Sequence, residues 1–280
     1  MATIAVLGMG LLGRGFAENA LSKGHEVRVW NRTASKCAPV VAQGAIQAET
    51  PADAVRGADR VHLVLTADDA VEQVIGAFGD ALSAGTPVLD HSTNLPDRVR
   101  ARYAALRAKG VKYLHAPVFM GPANSREGTG LMLACGPAAE IAALKPALLT
   151  MTGHVLELGE EPGKAAAIKL TGNGMLVLLT AGMGDLFKLG RANGLTPDDT
   201  LALFDLFAPT PAGMGRRILA SATAPVGFEL TMARKDVGLM IEASGGPEAL
   251  DVLPAIAASI DAAIAAGRGS EDFTAFVRPD

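Results

Sequence analysis

The sequence has little cysteine, no cluster of positive charge and no unbroken apolar run of membrane-spanning length. Its 280 residues include only Cys37 and Cys135 as cysteines, which argues against a disulfide scaffold and favours a reducing, cytoplasmic compartment. The formal net charge is -4 and Lys and Arg form no run, so we expect no nucleic-acid partner. Apolar stretches are interrupted before about 18 residues and no basic segment precedes the first of them, so we expect no membrane partner.

What the sequence does contain is typical of a globular protein with an ample core. Hydrophobic residues make up 49% of the chain and charged residues 19%. At this length the chain is sufficient for one large domain or two ordinary ones. With nucleic acid and membrane set aside, we expect a small-molecule partner.

A strand, a turn and a helix are predicted at the start of the chain. Residues 3–7 form a short apolar run, and a G-x-G-x-x-G sequence follows it directly and leads into a helical pattern. In this context the glycines allow a tight turn and a close approach of the main chain to a pyrophosphate, which the N–H groups at the helix start bind. We therefore predict a dinucleotide site at Gly8, Met9, Gly10, Leu11, Leu12 and Gly13.

The end of the second predicted strand indicates which dinucleotide binds. Residues 25–30 are followed by Asn31, Arg32 and Thr33, with Lys36 one turn further on. An NAD-binding unit normally has a carboxylate here, which accepts hydrogen bonds from the ribose 2′-hydroxyl. This position instead offers an amide, a guanidinium, a hydroxyl and an ammonium group to a 2′-phosphate. We therefore predict NADP as the cofactor.

Strands and helices continue to alternate along the first half of the chain. Further strands are predicted at 60–65, 86–90, 111–116, 131–134 and 154–158. The alternation predicts an α/β fold of the Rossmann type, a doubly wound parallel sheet in which ligands lie beyond the carboxyl ends of the strands. The residues expected near a ligand are therefore Leu65, Thr66, 91–93 and 117–121.

A largely apolar segment at 163–194 predicts one long helix. It has no internal proline and ends on an Asn-Gly pair, which often terminates helices. Lys169 and Asn173 stand at i and i+4 within it, so both project from one face among apolar or small residues. Taken alone, such a lysine is usually a surface residue that extends its ammonium group into water.

The rest of the chain predicts an all-helical region. Helical patterns cover 197–207, 212–220, 228–244, 247–266 and 271–277. We expect an NADP-binding domain at 1–162 and an all-α domain for substrate binding and dimerisation at 163–280, joined by the long helix. Because apolar residues surround that helix, we expect it to be buried and the protein to be a homodimer or a higher homo-oligomer.

These motifs together resemble the β-hydroxyacid dehydrogenase family, which includes 3-hydroxyisobutyrate dehydrogenases and the glyoxylate and succinic semialdehyde reductases. The likeness covers nearly the whole chain. G-M-G-L-L-G is similar to the family's G-x-G-x-M-G, with Leu12 in place of methionine. H-S-T-N-L-P at 91–96 resembles the family's D-x-S-T element, and K-L-T-G-N at 169–173 matches K-L-x-x-N. The resemblance places Thr93 near the nicotinamide.

The resemblance also implies the chemistry. It implies hydride transfer between the nicotinamide and a carbonyl or hydroxyl substrate, with Lys169 as general acid and base and Asn173 fixing either Lys169 or the substrate oxygen. The segment 228–239 resembles the family's K-D-x-x-L segment, which implies that Phe228, Lys235 and Asp236 lie beside the substrate or cofactor. Whether Asp236 holds the Lys169 ammonium charged or orders water stays open.

One motif departs from the family pattern. The family's substrate loop reads D-A-P-V-S-G-G, whereas this chain reads H-A-P-V-F-M-G, so Phe119 and Met120 precede Gly121 in place of serine and glycine. A hydroxyl that helps to hold a substrate carboxylate is lost, and apolar surface is gained. We expect selectivity to move away from small hydroxy acids. In the alternative, both side chains point into the core of the nucleotide domain while their N–H groups still bind a carboxylate.

Two alternative functions remain. An imine reductase of the same fold would typically have aspartate or tyrosine where Lys169 stands, so the lysine argues against it, although the apolar loop suits it. A non-catalytic NADP-binding scaffold or sensor would be expected to have lost the lysine. We assign no metal site.

Overall fold

The first part of the chain is built on a six-stranded parallel sheet. A computed structural model describes residues 1–278 and divides into two compact units, Met1–Lys169 and Leu170–Asp280. In the first unit the sheet has the order β3-β2-β1-β4-β5-β6, and every neighbouring pair is parallel. Its strands are β1 (Thr3–Leu7), β2 (Glu26–Trp30), β3 (Ile46–Gln47), β4 (Arg60–Leu63), β5 (Pro87–Asp90) and β6 (Lys112–His115). The predicted Rossmann-type fold is thus confirmed.

Helices cover both faces of this sheet. Alternate residues of β1 belong to different cores: Ala5 and Leu7 pack into one apolar cluster, and Ile4 and Val6 pack into another. A strand buried on both faces has this near-continuous apolar character. The helices are α1 (Leu11–Ser22), α2 (Ala38–Val41), α3 (Pro51–Val55), α4 (Asp68–Gly76), α5 (Pro96–Arg107), α6 (Pro122–Glu127) and α7 (Ala138–Leu148), with 3₁₀ turns at Ala34–Cys37 and Gly79–Ala81.

A small second sheet follows β6. It contains β7 (Val118–Phe119), β8 (Leu131–Ala134) and β9 (His154–Glu157); β7 and β8 are antiparallel, and β8 and β9 are parallel. We had expected the strands predicted at 131–134 and 154–158 to extend the main parallel sheet. They instead form this separate sheet. Pro117 has no N–H to continue a ladder after β6. An isolated antiparallel bridge joins His115 to Cys135, the residue after β8, and β7 then pairs antiparallel to β8.

The second unit is helical, as predicted. Its helices are α8 (Lys164–Ala192), which begins in the first unit, α9 (Pro197–Phe207), α10 (Pro209–Ala220), α11 (Leu230–Ala243) and α12 (Leu253–Ala263), with 3₁₀ turns at Pro247–Ala249 and Phe273–Val277 and a π-helical turn at Ile264–Arg268. A capping box between Thr196 and Asp199 starts α9. The single helix predicted at 247–266 is wrong, because the chain turns after the left-handed Gly246 and α12 starts only at Leu253.

One face of α8 is left uncovered by the single chain. The large side chains of Met175, Leu178, Leu186 and Leu189 are exposed, and their spacing places them along one stripe of the helix. Within the described residues, α8 is the one helix whose length and composition would allow it to cross a membrane, and 39% of its most apolar window is buried. Long core helices of globular proteins fulfil the same criterion, so this finding alone carries little weight.

Candidate active site

The glycine-rich turn between β1 and α1 is shaped for a close approach of backbone to a ligand. Gly8 has a φ of 104°, and a side chain there would lie 2.2 Å from the Val64 carbonyl oxygen. A side chain at Gly13 would lie 1.8 Å from the Gly8 carbonyl oxygen, so the first and last glycines are required by the turn itself. At Gly10, by contrast, the space is open. No acidic residue stands in the first turn of α1, so its positive end fits a pyrophosphate.

Asn31 connects this turn to the end of β2. Its Oδ1 accepts a hydrogen bond from the Met9 N–H at 2.9 Å, and its Nδ2 donates to the Thr33 carbonyl at 2.9 Å. Both ends of the amide are thus used by backbone groups. The side chain holds two loops in register, and its contact with a 2′-phosphate stays a prediction.

The basic residues after β2 lie on the surface. Arg32, Thr33 and Lys36 are all exposed, in a segment where the second strand is followed by no carboxylate. A guanidinium and an ammonium group in this position can bind a phosphate monoester from water. This corner of the first unit therefore presents two exposed cationic side chains, Arg32 and Lys36.

A buried polar network fixes the loop that follows β5. The Asp90 carboxylate accepts hydrogen bonds from the Ser92 N–H at 2.9 Å, from Asn94 Nδ2 at 2.8 Å and from the Tyr113 hydroxyl at 2.7 Å. Arg102 lies 3.4 Å from the same carboxylate. Burial and the Asp90 charge raise the pKa of Tyr113 well above its usual value, so the hydroxyl stays protonated and donates. Thr93, half-buried, lies within the loop so fixed.

Arg102 also ties α4 to this network. Its second terminal nitrogen lies 2.6 Å from Asp68, whose other oxygen accepts the Leu95 N–H at 2.9 Å. Burial disfavours the charged guanidinium, but Tyr113, Asp90 and Asp68 outweigh it and raise the pKa of Arg102. The segment before α4 is tied in as well, because the Leu65 N–H donates to Ser92 Oγ at 3.0 Å.

Three of the five histidines of the chain lie buried at the ends of neighbouring strands. His62 Nδ1 and His91 Nε2 are 2.9 Å apart, and His91 Nδ1 is 2.6 Å from the Ala116 carbonyl oxygen. His115 Nε2 is 3.0 Å from the Ser92 carbonyl oxygen. Burial lowers the pKa of His91 to about 4 and that of His62 well below its usual value. Both rings are therefore neutral near pH 7.

In the loop after β6, the side chains of Phe119 and Met120 pack against different apolar clusters. Phe119 packs beside Leu131 and Ile168 against a small apolar cluster that includes Cys135. Met120 packs against a different core cluster of the first unit. Gly121 precedes α6, and its N–H donates to Asn124 Oδ1 at 3.0 Å. Both side chains are thus partly buried against core clusters of the first unit, and Phe119 in addition faces Lys169.

Lys169 lies directly beside Phe119. Its Nζ is 4.0 Å from the centroid of the Phe119 ring, and the residue is only 9% exposed. An ammonium group over an aromatic face is attracted by the ring quadrupole. The lysine is therefore not a surface residue that extends into water.

In the second unit, Asn173 and its neighbours form a buried group. Asn173 Nδ2 donates to Asp236 Oδ2 at 2.6 Å, and Lys235 Nζ lies 2.7 Å from Asp236 Oδ1. Asp236 is 2% exposed, and Lys235 supplies the positive charge beside its carboxylate. Phe228 packs its ring against Phe273, with centroids 5.6 Å apart. Asp236 thus lies between Asn173 and Lys235, and both roles expected for it stay predictions.

Sequence reasoning missed the polar network and the histidine pair. Asp90 was part of a predicted strand, and its partners Arg102 and Tyr113 stand on other elements. His62 and His91 are 29 positions apart, so no local pattern joins them. The one available signal was the occurrence of histidine at the ends of three otherwise apolar strands.

With this geometry in place, comparison with known proteins defines the class. Residues 3–159 match the NAD binding domain of 6-phosphogluconate dehydrogenase, so the first unit is an NAD(P)-binding domain. The chain belongs to the β-hydroxyacid dehydrogenase family and is an oxidoreductase. It is 30% identical to the 3-sulfolactaldehyde reductase of Escherichia coli (strain K12) over 290 residues, which cover 99% of this chain and 95% of that protein.

Solved structures agree with this placement. A Mycobacterium tuberculosis 3-hydroxyisobutyrate dehydrogenase, solved with L-serine, has a TM-score of 0.84 at 26% identity and covers 99% of this chain and 98% of its own. A Streptomyces aurantiacus imine reductase has a TM-score of 0.68 at 26% identity, with 98% of each chain covered. The fold is thus shared with both reaction classes.

Proposed function

We propose that the protein is an NADP(H)-dependent reductase that transfers a hydride between the nicotinamide and a carbonyl or hydroxyl substrate. The observation that carries the proposal is the placement of Lys169, nine-tenths buried in a chain with a dinucleotide-binding domain and covered by the Phe119 ring. The bound nicotinamide supplies or accepts the hydride. Every proton that moves must then be handled by a protein group.

Lys169 is the proposed general acid and base. It donates a proton to the carbonyl oxygen during reduction and removes it in the reverse direction. Its ammonium charge also stabilises the alkoxide that develops on that oxygen. Because the side chain is buried and lies against an aromatic ring, its position is restricted, and orientation contributes to the rate.

The cofactor is proposed to lie along the carboxyl ends of the strands of the first unit. The turn before α1 and the N–H groups of its first residues bind the pyrophosphate, and Arg32, Thr33 and Lys36 bind the 2′-phosphate. Asn31 orients both loops through the hydrogen bonds described above. The full set of proposed cofactor-binding residues is Gly8, Met9, Gly10, Leu11, Leu12, Gly13, Asn31, Arg32, Thr33, Lys36, Leu65, Thr66, Thr93 and Lys235.

Asn173 and Asp236 are proposed to act together. The bond from Asn173 Nδ2 to Asp236 holds the Asn173 side chain in place, and Asn173 is proposed to fix either Lys169 or the substrate oxygen. Lys235 neutralises the buried Asp236 charge. Phe228 is proposed to supply apolar surface to the substrate.

The substrate is proposed to be less anionic than the small hydroxy acids of the family. Because Phe119 replaces a hydroxyl-bearing residue, a substrate carboxylate loses one hydrogen-bond donor. Because the Phe119 ring lies against the Lys169 ammonium, the carboxylate must also compete with the ring for contact with that ammonium. Apolar substituents gain instead, at about 0.8 kcal/mol for each methylene buried. A larger or less anionic aldehyde, ketone or keto acid fits this surface. Met120 and Gly121 are proposed to line the substrate site, and because the Gly121 N–H is bonded to Asn124 Oδ1, Met120 is the one proposed to offer its backbone N–H group.

A substrate panel tests this function. NADPH oxidation is measured with aldehydes, ketones, keto acids and imines, and each is repeated with NADH. The proposal expects carbonyl reduction with NADPH and a preference for apolar carbonyl compounds. Turnover of imines with none of carbonyls supports an imine reductase, which the Streptomyces aurantiacus structure and the apolar loop favour as the second candidate. Tight NADPH binding with no turnover of any compound supports a non-catalytic sensor.

We propose that the protein is a homodimer or a higher homo-oligomer in the cytoplasm. The exposed stripe of α8 is accompanied by further exposed apolar side chains in the same unit, at Leu203, Leu206 and Phe207. Apolar patches of this kind usually mark interaction surfaces. A second copy of the chain is the proposed partner. Both cysteines are buried free thiols, as suits a reducing compartment.

A further inference from the structure

A chain of hydrogen bonds runs through two buried imidazoles of the first unit. Arg60 Nε lies 3.1 Å from His62 Nε2, His62 Nδ1 lies 2.9 Å from His91 Nε2, and His91 Nδ1 lies 2.6 Å from the Ala116 carbonyl oxygen. The two rings are nearly parallel, with 12° between their planes. This series of hydrogen bonds thus begins on β4, includes the residue after β5 and ends at the residue after β6.

The direction of every bond in this chain is determined by its two ends. A guanidinium can only donate and a carbonyl can only accept. His62 must therefore accept at Nε2 and donate from Nδ1, and His91 must accept at Nε2 and donate from Nδ1. Both imidazoles are neutral in this arrangement, and each carries its proton on Nδ1.

The acceptor at the end of the chain belongs to the loop that bears Phe119. Ala116 is the first residue after β6, and its own N–H donates to the Asp90 carbonyl at 2.7 Å. His91 itself stands next to Ser92 and Thr93, in the loop proposed to contact the cofactor. The bond from His91 to Ala116 therefore links the proposed cofactor loop to the proposed substrate loop within the first unit.

We propose that His62 and His91 are positioning residues of the reductase: by holding the Ala116 carbonyl, they set the position of the loop that carries Phe119. This proposal depends on the proposed function in one respect, namely that the loop carrying Phe119 contacts the substrate. Displacement of a substrate-positioning group by about 1 Å can lower turnover about a hundredfold, so a single buried hydrogen bond is enough to matter.

The surroundings of the pair offer no place for an added proton. On β4, the charged group that faces His62 is the Arg60 guanidinium. Asp59 acts on Arg60 through its charge and is not one of the groups in the hydrogen-bond series. From α1, the Phe16 ring packs on His91 with centroids 5.1 Å apart. An extra proton on either imidazole would therefore oppose an N–H of the other ring or of Arg60.

The charged groups at the ends of β5 and β6 are engaged elsewhere. Asp90 and His115 both act on His91 through their charges. The Asp90 carboxylate, however, accepts from Ser92, Asn94 and Tyr113, and His115 Nε2 donates to the Ser92 carbonyl. Within residues 1–278, neither group forms a hydrogen bond with the side chain of His62 or His91.

The test combines matched variants. His91→Phe keeps a ring of similar size but removes the bond to Ala116, whereas His91→Asn keeps an N–H donor near the position of Nδ1. Val61→Ala shortens a buried side chain on the same strand as His62 and serves as the control for lost stability. We expect His91→Phe to lower kcat about tenfold or more with the Kd for NADPH unchanged, His91→Asn to recover most of the loss, and Val61→Ala to keep kcat.

Nitrogen-15 NMR of the histidine side chains provides a readout that does not depend on turnover. We expect protonated Nδ1 and unprotonated Nε2 on both His62 and His91 near neutral pH, and amide resonances of 117–121 that shift in His91→Phe and return in His91→Asn. If no substrate is reduced by the unmutated protein, the proposed function fails, and these resonances alone decide the positioning role. An Nε2 proton on His91, unmoved loop resonances, or an equal loss of kcat in Val61→Ala would each overturn the proposal.

Discussion

The ammonium nitrogen of Lys169 lies 4.0 Å from the centroid of the Phe119 ring. An attractive contact of this kind is worth about 0.5 to 2 kcal/mol, depending on how far it is shielded from water, and Lys169 is only 9% exposed. Phe119 is also one of the residues at which the substrate loop departs from the family pattern. The proposed proton donor and the proposed specificity residue are therefore in direct contact, and one substitution affects both.

Replacement of Phe119 by serine, together with Met120→Gly, is expected to move selectivity back toward small acids. The new hydroxyl can donate to a substrate carboxylate, and the ring no longer covers the ammonium group. We expect kcat/KM for glyoxylate, relative to that for an apolar aldehyde, to rise about tenfold or more, which corresponds to about 1.4 kcal/mol. Steady-state assays of both substrates measure this ratio.

Phe119→Leu is the matched control, since it removes the ring without adding a hydroxyl. It should lower turnover of apolar substrates but should not improve glyoxylate. Efficient reduction of glyoxylate by the unmutated enzyme, unchanged by the double substitution, would instead mean that backbone N–H groups hold the carboxylate and that the Phe119 ring has no part in selectivity.

The cofactor preference is expected to favour NADP(H) over NAD(H) by at least about tenfold, or about 1.4 kcal/mol. Arg32→Ala should reduce this preference because it removes the bidentate donor for the 2′-phosphate. Arg56→Ala, an arginine of the same unit with an exposed side chain, serves as the control and should leave the preference unchanged. Fluorescence titration with both cofactors measures the ratio, and equal binding of the two by the unmutated protein would contradict the assignment.

The exposed apolar stripe of α8 is expected to be covered by a second copy of the chain. Leu189→Glu places a charge at a residue that is 61% exposed in the single chain, where an interface would bury it at high cost. Sedimentation at micromolar concentration should show a dimer or larger species for the unmutated protein and a smaller one for the variant. Leu156→Glu, at an exposed position of the first unit, is the control. A monomeric unmutated protein would rule the interface out.

Stability is expected to fall as the pH is lowered from neutrality. Burial lowers the pKa of His91 to about 4, whereas the unfolded chain titrates near its ordinary value of about 6.5. Since the folded pKa is the lower one, the unfolded state binds more protons between these two values, and the stability that is present above about pH 6.5 is lost as the pH falls toward about 4. For His91 the loss between about pH 7 and 4.5 is about 2 kcal/mol.

Urea unfolding at both ends of this range measures the effect. His62, whose pKa burial also lowers, adds to the slope, so His62→Phe should flatten it. His154→Gln removes an exposed histidine and should not alter it. A pH-independent free energy of unfolding across this range would show that the buried imidazoles do not titrate as described.

The features predicted from sequence are those that depend on local pattern. The apolar runs located β1, β4 and β5, and the glycine spacing located the turn before α1, because each signal lies within a few consecutive residues. The two-residue strands β3 and β7 were missed, since so short a strand has no detectable period. The length of α8 was predicted from the absence of proline between its caps.

The features that could not be predicted depend on partners distant in sequence. Asn31 was expected to contact phosphate, and its bond to the Met9 N–H spans 22 positions. The bond from Asn173 to Asp236 spans 63 positions. Local pattern indicates which residues are polar and on which face they stand, but the identity of a hydrogen-bond partner is decided by the tertiary fold.

The most direct test of the account is the turnover of Lys169→Ala compared with that of Lys164→Ala, an exposed lysine at the start of the same helix. Both variants are assayed with NADPH and the best carbonyl substrate of the panel, after their folding and NADPH affinity have been shown to match those of the unmutated protein. We expect Lys169→Ala to lower kcat about a hundredfold or more, the scale of a lost proton donor, and Lys164→Ala to leave it unchanged. A Lys169→Ala variant that folds, binds NADPH and turns over at a near-normal rate would contradict the assignment of Lys169 as the general acid.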